Sequence, residues 1–270
     1  MPTSLPVGKY VRSPDSASRS PCPVVNALSN HGYLERNGKN IYMADLTAAM
    51  RQVGMSPLLG SIFAVPTYFE YHNPDKAYLL PPVSTWQKFW GLVMNPYSFF
   101  SYFGCWKPQQ YDQRGKKYLN LENLASHGAI EHDISLSRRD YAQKQGNNKP
   151  QEDLIQDMLK CSLDGETLTI DDLARFIKSR IHQQLKDNPD LVYGPAQHQV
   201  NCGQIALMMG CFGDGQTIPV KYVRALFEDE RLPINEGWTK RTWWSMGVVE
   251  FFWSVNNLVK RVNVKALSSG

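Results

Sequence analysis

The chain has 270 residues, 42% hydrophobic and 11% aromatic, with a formal net charge of +4. That length suits one domain, 1–270, with a substantial core, near the upper end for a single domain. The charge is spread without a basic block, which argues against a nucleic-acid partner, and the five cysteines (22, 105, 161, 202 and 211) make no disulfide framework.

Residues 1–20 read as a Pro/Ser-rich arm. The start has no cationic segment followed by an apolar core, so no secretory signal is expected. No Asn-x-Ser/Thr acceptor occurs either. An intracellular protein is the resulting expectation.

Pro21-Cys22-Pro23 is the sharpest local feature. Each proline fixes its own φ and biases the residue before it to extended geometry. Pro23 also suits a first helical turn, and a helix is expected over 23–36, ending near Asn37-Gly38. Cys22 then lies at the positive end of that helix, where a thiolate is favoured. The bland reading is a buried small hydrophobe. Further on, Asp45 is placed to cap a helix through Gln52, stopped by Gly54.

Residues 62–106 gather large apolar side chains, including Trp86, Phe89, Trp90 and Val93 at helical spacing. Core or lid packing is the plain explanation. A substrate-entrance wall, a homodimer surface or a membrane-surface contact is the sharper one. Gln87, Lys88 and Asn95-Pro96 rule out a membrane span.

Helices are expected over 119–127 and around 131–142. The second contains Glu131-His132-Asp133-Ile134-Ser135. On a helix Glu131 and Ser135 share a face, and two hard oxygen ligands with room for water suit Mg²⁺ or a similar cation. Either flanking acid could orient the His132 imidazole. A solvated charged run is the ordinary alternative. Residues 171–181 put Leu173, Phe176, Ile177 and Ile181 on one helical face, with Thr167-Leu168-Thr169-Ile170 before them as extended chain or cap. Residues 221–230 read as another helix after Pro219. The tail 243–255 reads as an apolar helix packing on the core, a partner or a membrane surface. Strands are few, and no internal repeat is apparent. His31 reads as a structural hydrogen-bonding group, and His72, His182 and His198 show no metal-ligand spacing with one another; Glu228, Glu230 and Arg231 read as a structural ion-pair and turn system.

The Cys22 tripeptide, the 131–135 run and the segment 227–238 occur in an order and spacing that resembles the fungal heme-thiolate peroxidases, the chloroperoxidases and short unspecific peroxygenases. The resemblance covers most of the chain and is poorest over 55–115 and the last thirty residues. It implies a mainly α, single-domain chloroperoxidase-like fold with an aromatic-rich insertion at about 62–106. It implies heme b on the Cys22 thiolate, and Mg²⁺ or Mn²⁺ held by Glu131, the His132 carbonyl and Ser135. His132 would lie on the distal side, oriented by Asp133, and Arg19 could reach a heme propionate. The oxidant would be hydrogen peroxide, and the substrate a hydrophobic small molecule of secondary metabolism.

The family's distal glutamate aligns with Gln204, or with Asn201 one turn away. Neither can exchange a proton near neutral pH. Three readings therefore stand: a peroxidase or peroxygenase, a heme-thiolate enzyme of non-peroxide chemistry (dehydration, rearrangement or cyclisation), and a non-catalytic heme-binding protein.

Overall fold

The computed structural model describes residues 6–68, 110–125, 131–143, 147–191, 193–242 and 245–262. Most of the sequence 62–106 lies outside them. The described residues are mainly helical, as expected, with two small sheets.

The N-terminal arm runs along the first helix, α1 (Pro23–Asn30), through Gly8 N to His31 O and Val11 N to Asn30 O, both below 3 Å. α1 is shorter than the sequence suggested. It ends before Gly32, whose φ of 75° is left-handed geometry that glycine accepts cheaply. β1 (Ile41–Tyr42) leads straight into α2 (Met43–Met50), so Asp45 sits in the first turn and Tyr42 at the N-cap. A short 3₁₀ turn follows and stops at Gly54, φ 88°. α3 (Pro57–Ala64) begins with Ser56 accepting from the Leu59 amide, and packs on α2.

β2 (Gln110–Tyr111) and β3 (Lys117–Leu119) complete an antiparallel sheet in the order β1-β3-β2, with Ile41 opposite Leu119 and Gln110 opposite Tyr118. The helix expected over 119–127 is thus a strand end followed by a 3₁₀ turn at Leu121–Ala125. The helix expected around 131–142 is also absent. Ile134 adopts φ 61°, which a β-branched residue tolerates poorly, and only a 3₁₀ turn at Tyr141–Gln143 follows.

The C-terminal half is built from two similar units. α4 (Glu152–Leu159), β4 (Thr167–Thr169) and α5 (Ile170–Asp187) form the first; α6 (Pro195–Phe212), β5 (Thr217–Pro219) and α7 (Val220–Phe227) form the second. β4 and β5 pair antiparallel, Leu168 opposite Ile218. Each strand follows the same turn. Asp164 Oδ1 accepts from the Glu166 and Thr167 amides, and Asp214 Oδ1 from the Gln216 and Thr217 amides. Gly165 and Gly215 supply the positive φ, 73° and 92°. The repeat passed over in the sequence is therefore an Asp-Gly-x-Thr turn between helices, the same in three of its four residues.

α5 opens with a Thr169–Asp172 capping box and buries Leu173, Phe176, Ile177 and Ile181, the predicted stripe. α8 (Val248–Arg261) lays Phe251, Val255 and Leu258 on the core and packs chiefly on α6. No helix among the described residues is long and apolar enough to cross a membrane.

Candidate active site

Cys22 is the N-cap residue of α1, with extended backbone (φ −79°, ψ 113°) followed by Pro23 at the first helical position. The flanking prolines dictate this geometry. Its loop is pinned from within. Asn26 Oδ1 accepts from the Ser20 amide at 2.8 Å, Asn26 Nδ2 donates to the Ser20 carbonyl at 2.8 Å, and Ser20 Oγ donates to the Cys22 carbonyl at 3.1 Å.

Beneath this loop lies a buried ion pair. Arg138, only 1% exposed, donates from Nη2 to Glu230 Oε1 at 2.6 Å. The same Glu230 oxygen accepts from Asn26 Nδ2 at 2.8 Å, and the Glu230 carbonyl accepts from Asn30 Nδ2 at 3.0 Å. Glu230 takes φ 48° to make both contacts. The Arg138 Nε–H is buried without a hydrogen-bond partner among the described residues.

The partly buried sulfur makes no capping hydrogen bond of ordinary geometry. Burial pushes the Cys22 thiol up, and the Glu230 charge adds to this, while the nearby Val25 and Val24 amides and the Arg138 guanidinium pull it only part of the way back down. A cation, a helix N-terminus and a rigid loop thus all favour the thiolate once a metal compensates the desolvation.

The 131–140 segment reaches the Cys22 loop through Arg138. Glu131, His132 and Asp133 are all buried, whereas Ser135 is partly exposed. Because the segment is not helical, Glu131 and Ser135 do not share a helix face, and the spacing argument for a cation fails on that ground. Among the described residues, no three His, Cys, Asp or Glu side chains gather closely enough to hold a metal ion.

His132 Nδ1 lies 2.8 Å from the Asp133 carbonyl oxygen, while Asp133 Oδ1 accepts from the Tyr141 amide at 3.1 Å. It is thus the Asp133 carbonyl that meets the ring in the structure. Burial lowers the His132 pKa, opposed by that carbonyl and by the Glu131, Asp133 and Asp140 charges. The imidazole is therefore neutral at neutral pH, with Nε2 as its basic nitrogen.

The strained Ile134 is held at both ends. Its amide donates to Asp140 Oδ1 at 2.9 Å, and its carbonyl accepts from Asn201 Nδ2 at 2.8 Å. Asp140 pairs with the buried Arg180 of α5 at 3.2 Å, and Gln184 bridges the two, at 2.8 Å to Asp140 and 3.0 Å to Arg180. Gln204 Nε2 donates to Asn201 Oδ1 at 2.9 Å. The structure thus brings Asn201 to the loop that carries His132, and Gln204 to Asn201 on the same helix.

Some residues fare differently from their sequence reading. Arg19 is buried, and donates to the Ser18 and Arg36 carbonyls and to Asn30 Oδ1. It braces the arm. His31 bridges the Gly8 carbonyl and the Leu232 amide. Arg138, Asp140 and Arg180 escaped the sequence reading. Arg138 and Arg139 are adjacent and chemically identical, yet Arg139 is 20% exposed and pairs with Asp153 at the surface. Nothing local distinguishes them.

A family model described as "Peroxidase, family 2" matches residues 8–243, a span that includes Cys22, the 131–140 segment and α6. The chain belongs to peroxidase family 2. Among curated proteins, it is 28% identical to the aromatic peroxidase fscJ of Fusarium equiseti over 183 residues, 66% of this chain and 37% of that protein. It is 27% identical to the chloroperoxidase of Leptoxyphium fumago over 140 residues, 52% of this chain and 28% of that protein. The chain therefore spans well under half the length of these relatives. α8 lies beyond the residues that match peroxidase family 2.

Proposed function

We propose that the protein is a heme-thiolate peroxidase or peroxygenase that spends hydrogen peroxide on a hydrophobic organic substrate. The observation that carries this reading is Cys22. It is held at a helix N-terminus above a buried arginine whose Nε–H has no partner among the described residues. Such a donor beside a rigid sulfur fits a bound anionic cofactor. Bound heme would supply O–O cleavage, which a thiolate ligand favours.

The chain's own residues would do the rest. Cys22 would hold the iron, and the Arg138–Glu230 pair would keep its loop in place. His132 Nε2 would accept and return the peroxide proton, its tautomer fixed by the Asp133 carbonyl. Gln204 would orient that exchange by hydrogen bonding without carrying a proton. By the family resemblance alone, Glu131, the His132 carbonyl and Ser135 would hold a Mg²⁺ or Mn²⁺, although no helix presents them on one face. The family name supports peroxide, and the relative named aromatic peroxidase makes aromatic compounds the first substrates to try.

The deciding experiment is the absorption spectrum of the reduced protein under carbon monoxide. A strongly red-shifted Soret band supports the thiolate, and its loss in Cys22→Ala assigns it. A histidine-type band, or no heme after reconstitution, overturns the reading. Metal analysis before and after chelation tests the cation separately.

The absence of any acid in α6 favours a second reading, a heme-thiolate enzyme of non-peroxide chemistry. Peroxide-dependent bleaching of an aromatic reporter separates the two. Gln204→Glu should raise that rate under the first reading.

A further inference from the structure

The half-buried Tyr193 and the buried His198 form a polar pair that the proposed chemistry leaves unused. Tyr193 Oη and His198 Nδ1 are 2.9 Å apart, with the rings edge-to-face at 5.8 Å between centroids. The far ring nitrogen of His198, Nε2, lies 3.8 Å from Cys202 Sγ, and the ring also hydrogen-bonds the Val259 backbone of α8, while Nδ1 faces the phenol. Asn201 Nδ2 donates to Tyr193 Oη at 3.3 Å and to the Ile134 carbonyl at 2.8 Å. One amide nitrogen therefore joins the phenol to the loop that carries His132. Burial raises the phenol pKa, so it keeps its proton, and lowers that of His198, so Nδ1 keeps its lone pair. A phenol with a built-in base loses an electron and a proton together, without forming a buried charged phenol.

The geometry points to Tyr193 and His198 as a redox pair: Tyr193 gives one electron to the peroxide-oxidised centre as its hydroxyl proton moves to His198 Nδ1. This rests on the heme reading above. Two such electrons and two protons from solvent reduce one hydrogen peroxide to two waters. Between them, an aromatic donor yields an electron to the Tyr193 radical, His198 returns the proton to the phenol oxygen, and the oxidised donor loses its own proton to water.

Freeze-quench electron paramagnetic resonance of the holoenzyme after peroxide tests the pair. The expected result is a tyrosyl radical with one strongly coupled exchangeable proton. It should be absent in Tyr193→Phe and form at least about 10²-fold more slowly in His198→Gln, the usual cost of losing a positioned base. An unchanged radical in Tyr193→Phe, or a wild-type rate in His198→Gln, overturns the proposal. Should Tyr193→Phe fail to fold, a wild-type radical lacking the exchangeable coupling overturns it. If the protein binds no heme, the heme reading fails by itself. Flash oxidation by photoexcited ruthenium trisbipyridine with persulfate then decides on the pair, with the same radical supporting it and a radical elsewhere overturning it.

Discussion

Arg138 Nη2 and Glu230 Oε1 meet at 2.6 Å across 92 residues of sequence, and both ends of that bond lead to Cys22. The arginine acts on the sulfur through its charge, and the glutamate grips Asn26 of α1. Glu230→Gln keeps the shape and removes the charge that Arg138 needs. Breaking a buried pair costs roughly 3–5 kcal/mol, and the lower end is expected here because the Glu230 side chain is 12% exposed. Urea unfolding measures the loss. The double variant Arg138→Met/Glu230→Leu should recover most of it, because neither charge is then stranded. A single variant as stable as wild type would mean the pair carries no structural load.

The described cysteines should differ in reactivity. Burial pushes the Cys202 and Cys211 thiols up to about 12, so at pH 8 almost none of either is thiolate. Cys161 is only partly buried. Iodoacetamide on the native protein should therefore label Cys161 well before the other two, and urea should erase the difference. Peptide mass spectrometry reads the order. Equal labelling of Cys202 in the folded state would contradict its burial beside His198.

How much of this was legible in the sequence follows from what each feature depends on. The backbone geometry at Cys22 was legible because two prolines constrain it locally. The α5 stripe was legible because a helix buries side chains at its own period. The 131–140 segment was not, since its course depends on Asp140 and Asn201 holding Ile134 in left-handed geometry. Those bonds span 6 and 67 residues, and helical spacing is blind to them. The paired Asp-Gly-x-Thr turns were also hidden. What repeats in the sequence is three residues of four, too short a match to stand out between flanking helices that differ in length and polarity.

Asp140 predicts a pH dependence of stability. Burial raises its pKa, more than the Ile134 amide and the Arg180 charge lower it. Between the ordinary carboxylate range and the raised folded value, the native state holds more protons than the unfolded chain. Stability must then fall as pH rises through that window, with the full cost present above it. Asp140→Asn removes the titration, although it strands the Arg180 charge. The stability of wild type minus that of Asp140→Asn, from urea curves at successive pH values, should decline as pH climbs from the ordinary carboxylate range. A difference that grows with pH would mean that Arg180 outweighs burial.

The two turns make the last prediction, because equivalent positions in them should respond differently. Gly213 precedes Asp214, and a Cβ there would lie 2.1 Å from the Thr217 carbonyl oxygen and 3.0 Å from that of Met209. Both are backbone atoms. The first cannot retreat without loosening the Asp214 turn or β5, whose Thr217 pairs with Thr169. The φ of Gly213 is −115°, so the need for glycine is steric rather than conformational. The matching position before Asp164 is Leu163, 89% exposed. Gly213→Ala should cost about 1–3 kcal/mol as an overpacking change. Leu163→Ala should stay within about 0.5 kcal/mol of wild type, as surface changes do. Thermal or urea unfolding of the two variants side by side checks this. Equal, small effects would mean that the Thr217 carbonyl moves freely, and that β4–β5 pairing does not fix the second turn.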